Sequence, residues 1–283
     1  MHSYYGICLE DDYRQILKLV LTQGERRKVR SFNTIELSPF IYSLSDPLKN
    51  IVSSPLRNIN RAFSVAEFLW LMSGRNDLEM ISHYNSKLKA FSDNGSILSG
   101  AYGPTLVDQL KYVFAALEKD LFTRQAVIST WKPSPVLSKD IPCTLSLQFL
   151  VDSTYHLNLI VNMRSNDAWL GFPYDVYNFT MIQNYLAFKL SLEVGRYYHV
   201  AGSMHLYEEH IVCAKALSEK PTMVMEIQET PKINSDKLET LLQLERQLRR
   251  GNNEPPELDS PWSNLHEILK NHCEKKIKKH CTL

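Results

Sequence analysis

Residues 162–175, NMRSNDAWLGFPYD, set a cation, a hydroxyl and two acids beside apolar residues. Charged groups next to a core are costly unless something pairs with them. The knot Arg164-Ser165-Asn166-Asp167 and the later Asp175 are therefore candidate binding groups. Spacing alone also allows Asp175 to be the N-cap of a following helix. Glu67 is a second candidate. It lies in an apolar stretch, VAEFLWL, where a carboxyl has a raised pKa suited to proton transfer near neutrality. The competing role for Glu67 is a capping box with Ser64. Cys8, Cys143, Cys213, Cys273 and Cys281 are scattered without a CxxC pair. That pattern argues against a zinc site and a disulfide framework and fits a reducing compartment. Each cysteine reads as a small buried hydrophobe until context promotes it to nucleophile.

These side chains need elements to position them. Apolar spacing predicts a helix over 11–23 with an acidic start. A basic loop over 24–34, GERRKVRSFNT, leads to a strand, TIELSPFIYSL. Helices are expected over 64–73 and 105–119, and strands over 126–131, 143–151 and 156–164. Alternation in the last two strands is informative. Cys143, Leu145, Leu147, Phe149 and Val151 share one face, opposite Thr144, Ser146 and Gln148. Leu157, Leu159, Val161 and Met163 share another, opposite Asn158, Asn162 and Arg164. Such a sheet could line a polar cavity with its second face. A mostly apolar helix over 176–191 belongs at the centre. The expected class is α+β, a large mixed sheet backed by helices.

Chain totals bound the function. The chain has 283 residues, enough for a substantial core. Net charge is +1, so no global field favours nucleic acid or a membrane surface, and any anion site must be local. No apolar run reaches the roughly 20 residues of a membrane span, and the N-terminus lacks a signal-like core. A cytoplasmic protein without direct nucleic-acid or membrane binding is expected. Beyond residue 220 come a charged amphipathic helix, a linker-like GNNEPPELDSP and a second helix ending in a lysine cluster. That cluster reads as solvated surface or an interaction tail. The expected organisation is a catalytic domain over 1–220 and a helical extension of unassigned role over 221–283.

The opening segment resembles the nucleotide-binding segment of the thymidylate synthase superfamily, with core pattern RS-x-D-x-x-LG-x-P-[FY]-N. Five further segments resemble that family in the same order: AEFLW at 66–70, the AYG turn with Tyr102, TRQAVISTW at 123–131, IPCTLSLQF at 141–149 and GSMHLYEEH at 202–210. The departures resemble the branch that hydroxymethylates cytidylates. They are VNMRSND, Gly171-Phe172, Asp175 where synthases have Asn, and Cys143-Thr144 where they have Cys-His.

The resemblance implies roles. Cys143 would attack C6 of the pyrimidine as a thiolate, a form that nearby cations favour, with Arg164 one strand over. The activated C5 would take a one-carbon unit from 5,10-methylenetetrahydrofolate, and water would complete a hydroxymethyl group; hydride would complete a methyl group in a synthase. No metal is implied. Glu67 and Tyr102 match positions for proton transfer and water ordering. Asp175 would read the base: a carboxylate accepts from cytosine N4 and a protonated N3 but cannot donate to uracil O4. Arg30, Arg164 and Ser165 would bind phosphate through fork-like contacts. Arg124 would reach the phosphate site of a homodimer partner across a sheet-face interface. The second arginine of that pair is Gln125 here, so either phosphate binding is weaker or Arg26, Arg27 or Lys28 compensates. His205 and Tyr207 match sugar contacts, Gln148 and Asn162 complete the polar wall, and Asn166 is a further substrate-binding candidate. Asp167 matches the acid that binds the folate pterin, with Trp70, Leu170 and Gly171 lining its pocket. The synthases' apolar C-terminal tail has no counterpart in KKIKKHCTL, which favours water reaching the one-carbon group. The alternatives are a synthase with altered base choice and a non-catalytic nucleotide-binding homologue.

Overall fold

A computed structural model describes residues 2–132, 137–220, 228–253 and 256–281. The chain starts with β1 (His2–Gly6) and α1 (Leu9–Gln23), whose buried stripe includes Ile16, Leu17 and Val20. The run expected as a basic loop is a hairpin instead. In it β2 (Glu25–Val29) pairs antiparallel with β3 (Phe32–Leu37). All five β2 residues are exposed, so no apolar alternation announces the strand. The strand expected over 34–44 is two strands, because Pro39 lacks the N–H that a ladder needs. β3 stops at Leu37, and β4 (Phe40–Leu44) joins a different sheet.

Three helices follow: α2 (Arg61–Met72), α3 (Leu78–Tyr84) and α4 (Gly103–Lys119). Then come β5 (Val127–Ser129), β6 (Thr144–Val151), β7 (His156–Met163) and the two-residue β8 (Asn166–Asp167). The central helix α5 (Phe172–Lys189) precedes β9 (Glu193–Ala201), β10 (Met204–Tyr207) and α6 (Ile211–Ser218). Helices α7 (Leu238–Arg249) and α8 (Trp262–Cys281) complete the described elements.

The chain divides into two units. The first comprises Met1–Ile59, Lys111–Pro133 and Cys143–Thr230. Its six-stranded sheet runs β1-β4-β9-β7-β6-β5, with β1/β4 and β7/β9 parallel and the other pairs antiparallel. A four-stranded sheet runs β2-β3-β10-β8. Leu157, Leu159 and Val161 on β7 are fully buried, and α5 lies against β7 and β9. Gln183, a polar residue in this apolar helix, is buried because its amide donates to Leu157 O at 2.8 Å and Gly195 O at 3.2 Å. It thereby serves carbonyls beside the register shift between Leu157 and Leu159. Asn158, Ile160 and Asn162 on the opposite face of β7 are half-buried.

The second unit comprises Asn60–Leu110, Ser134–Pro142 and Pro231–Leu283. Helix α2 is N-capped by Asn60, whose side chain accepts from Phe63 N at 3.0 Å. Ser64 lies inside the helix with its hydroxyl toward Asn60 O at 3.4 Å, so the capping-box role for Glu67 is overturned. In the same unit Glu245 is buried, accepting from Arg249 Nε at 2.7 Å and from the Tyr84 hydroxyl at 3.0 Å. Lys276 donates to His83 O at 2.6 Å, so this member of the lysine cluster is not simply solvated. Among the described residues no helix is long and apolar enough to cross a membrane.

Candidate active site

Strand pairing sets Cys143 beside Arg164. Thr144 and Met163 are partners at the end of the β6/β7 ladder. One residue beyond, Arg164 N donates to Cys143 O at 2.8 Å. The Arg164 guanidinium also meets Cys143 Sγ at 3.5 Å. Cys143 is half-buried and Arg164 exposed. A guanidinium at this distance stabilises negative charge on sulfur.

The four-stranded sheet supplies one polar face, because cross-strand partners point the same way. Glu36, His205 and Asp167 form one row across β3, β10 and β8; Arg27, Thr34 and Tyr207 form the next across β2, β3 and β10. Ser165 Oγ lies 3.3 Å from His205 Nδ1. The Tyr207 ring packs edge-on against His205 and Phe32, at 5.2 and 5.7 Å between centroids. Burial pushes the Tyr207 hydroxyl pKa up, Asp167 adds to this, and the Arg30 charge opposes it. Arg30 itself sits at the hairpin tip, exposed, with φ 58°. A left-handed arginine at a turn is a strained choice, and it holds a guanidinium within electrostatic reach of Tyr207.

The turn between β8 and α5 is organised by Asp167, whose Oδ1 accepts from Trp169 N at 2.7 Å and Leu170 N at 2.8 Å. Its Oδ2 has no protein partner among the described residues. Leu170 is 48% exposed beside it. Arg57 supports the turn from below. It donates to Trp169 O through Nε at 3.0 Å and Nη2 at 2.6 Å, and stacks over the Trp169 ring at 5.1 Å and the Tyr174 ring at 5.7 Å.

Helix α5 begins earlier than periodicity predicts, with Gly171 as N-cap and Pro173 in its first turn. Asp175 therefore lies inside the helix, and the capping alternative for it is overturned. Its Oδ2 accepts from Asn166 Nδ2 at 2.6 Å. Burial raises the Asp175 pKa to about 7; the Asn166 hydrogen bond opposes the rise and the Asp167 charge adds to it. Protein packs closely around the group, yet part of its surface stays open, so a ligand has access to it. A Cβ at Gly171 would come within 3.2 Å of both Asn166 Nδ2 and Asp175 Oδ2, so glycine makes room for this pair.

Gln148 donates to Arg124 O at 3.2 Å, and Arg124 and Gln125 are exposed. Asn162 donates to Ser146 Oγ at 3.1 Å. Glu67, Trp70 and Tyr102 belong to the second unit. Glu67 and Tyr102 are half-buried; Trp70 is buried, with its indole N–H on Asp77 O at 2.9 Å. Sequence reasoning missed Glu36 and Arg57. Glu36 is buried in the His205 row and accepts from Thr34 Oγ1 at 2.7 Å and Ser203 Oγ at 2.9 Å. Its signal was an acid within the apolar alternation of TIEL. Nothing local marks Arg57.

A family model described as thymidylate synthase matches residues 11–259. The chain is 32% identical over 227 residues to the deoxyuridylate hydroxymethyltransferase of Bacillus phage SP01, covering 73% of this chain and 59% of that one. It is 30% identical over 194 residues to the deoxyuridylate hydroxymethyltransferase of Pseudomonas phage M6, covering 65% and 55%. The thymidylate synthase of Buchnera aphidicola subsp. Baizongia pistaciae (strain Bp) is 27% identical over 219 residues, covering 72% and 81%. The chain thus spans under two thirds of the length of both phage relatives.

Proposed function

Because the chain belongs to the thymidylate synthase family, we propose that it is a folate-dependent 5-hydroxymethyltransferase acting on CMP or dCMP. The family uses 5,10-methylenetetrahydrofolate as co-substrate. Bound folate supplies a one-carbon unit at the oxidation level of formaldehyde. Asp167 and Leu170 fit it chemically: an unused carboxylate oxygen suits ring N–H donors, and an exposed apolar side chain suits a ring face. Gly171 and Trp70 are kept as proposed neighbours on their sequence match. The two phage relatives support the hydroxymethyl outcome.

Cys143 is the proposed nucleophile toward C6, with Arg164 holding its sulfur in the anionic form. Arg30, Arg164 and Ser165 are the proposed phosphate seat, and His205 and Tyr207 the sugar contacts. Glu67 and Tyr102 are proposed for proton transfer and water ordering on their match to the family's segments alone. The observation that carries the base assignment is Asp175, an acid with open surface where the family pattern has Asn. As a carboxylate it accepts from the cytosine amino group and from a protonated N3. Protonation of N3 develops in the covalent adduct, so the anion would favour the intermediate over free base.

A second reading, deoxyuridylate as substrate, is favoured by the two phage relatives. Asp175 leaves room for it. A carboxyl titrating near 7 is partly protonated at neutral pH, and a neutral carboxyl presents O–H and C=O much as an amide does. Incubation with methylenetetrahydrofolate and each of CMP, dCMP, UMP and dUMP separates the readings by product mass. Hydroxymethylation confined to uracil refutes the cytidylate assignment. Dihydrofolate formation, seen as an absorbance rise, identifies a synthase instead. The half-exposed face of the six-stranded sheet is the proposed homodimer face, with Arg124 reaching the partner's phosphate site. A monomer in sedimentation at assay concentration would remove that part of the proposal.

A further inference from the structure

Asn166 shares a row with the buried Met204 rather than with the polar His205 row. It is 3% exposed. A side chain so covered is poorly placed to touch a nucleotide, whereas Asp175 beside it keeps open surface. Its one described side-chain hydrogen bond is the 2.6 Å contact to Asp175 Oδ2, and its Oδ1 is buried without a partner. Burying an amide with half its capacity unmet costs free energy, and the acid is what this arrangement serves. Gly171 keeps the contact clear by carrying no Cβ.

We propose that Asn166 is a positioning residue for base choice, fixing one oxygen of Asp175 and favouring its charged form, so that the other oxygen alone faces the base. The inference rests on the cytidylate reading. Its physical basis is that the two protonation states of Asp175 read different bases. The neutral acid has a donor and an acceptor and can pair with either base edge. The anion has only acceptors, so it meets the amino group of cytosine and rejects O4 of uracil. Asn166 can turn its amide to serve either state, but a hydrogen bond to the anion is the stronger one. Discrimination against uracil therefore depends on a residue that does not touch the base. The titratable groups acting on Asp175 are Asp167, in the turn before it, and Tyr197, on β9. Among the described residues no cation pairs with Asp175.

The test measures kcat/KM for the preferred cytidylate and the matching uridylate across about pH 6 to about pH 9, spanning the range where Asp175 titrates. In the wild type the cytidylate preference should rise with pH through about 7. Asn166→Leu removes the donor at similar volume and should displace that rise upward by about one unit, which lowers the preference near pH 7 by up to roughly tenfold. Asn166→Ser keeps a hydroxyl donor and should fall between; it decides the matter if the leucine variant does not fold. In an Asp175→Asn background, Asn166→Leu should leave the base ratio unchanged, since no carboxyl remains to be charged. Profiles that coincide in wild type and both Asn166 variants, with cytidylate still preferred, overturn the inference alone. A wild-type preference for uridylate at every pH overturns the underlying reading and the inference with it.

Discussion

Replacing Asp175 by Asn should change how stability depends on pH, by an amount the fold specifies. The carboxyl titrates at about 7 in the folded protein against 3.8 for the free group. The folded state thus binds this proton more tightly than the unfolded chain. The stability so gained is complete below the unfolded pKa and is lost as pH rises through about 7. A shift of about three units corresponds to roughly 4 kcal/mol. Water reaching the open part of the group reduces this to ~2–4 kcal/mol. About two of the three units fall between pH 5 and pH 7, so ~1–3 kcal/mol should appear in that interval. Asparagine does not titrate, so the variant should gain on the wild type by this amount as pH is raised. Urea unfolding of both proteins at about pH 5 and about pH 8 reads the difference directly. Parallel stabilities at the two pH values would refute the picture of a buried, strained acid. The same variant should shift base preference towards uridylate in the four-nucleotide assay.

Other perturbations separate function from fold. Arg30→Gly removes a left-handed arginine and should leave stability unchanged or raise it by up to ~1 kcal/mol. It should nevertheless raise KM for the nucleotide, and a KM equal to wild type would remove Arg30 from the phosphate seat. Arg164→Leu takes the cation from beside Cys143 and should slow Cys143 alkylation several-fold near neutral pH, read peptide by peptide in a mass spectrometer; an unchanged rate would show that the guanidinium does not act on the sulfur. Glu245→Ala leaves Arg249, among the described residues, with Glu79 alone at 3.1 Å and should destabilise by about 3 kcal/mol in denaturant unfolding. A loss below about 1 kcal/mol would mean this buried pair carries little of the second unit's stability.

What could be read in the sequence follows from physical signal strength. The alternation in 156–163 was legible because a sheet covered on one side forces period-two burial. In the preceding strand it holds only around Leu147 and Phe149, because a register shift between Thr144 and Ser146 buries Thr144 and leaves Leu145 half-buried. The family was legible because its motifs lie in short contiguous runs. The hairpin at 25–37 was not, since the fully exposed β2 carries charge at four of its five positions and mimics a loop. The start of α5 was hidden because Gly171 and Pro173 read as a turn, although proline in a first turn is a helix-start signal. Ser64 looked like a cap because a capping box is a pattern of types; Asn60 won because its side chain reaches Phe63 N. Glu36 and Arg57 went unseen because their places depend on register and on a contact 112 residues away. The pairing of Asn166 with Asp175 was equally invisible, as nine residues of sequence hide a hydrogen bond across a turn.

The second unit is assembled from three separated stretches. Leu241, Leu248, Trp262, Leu265 and Leu269 of its last stretch are buried, so its interior closes only once residues 241–269 have been made. Until then α2 and α3 wait without these partners, for about 10–40 seconds at ordinary elongation rates. Helpers that shield greasy nascent segments should therefore matter more to the yield of this protein than its final stability suggests.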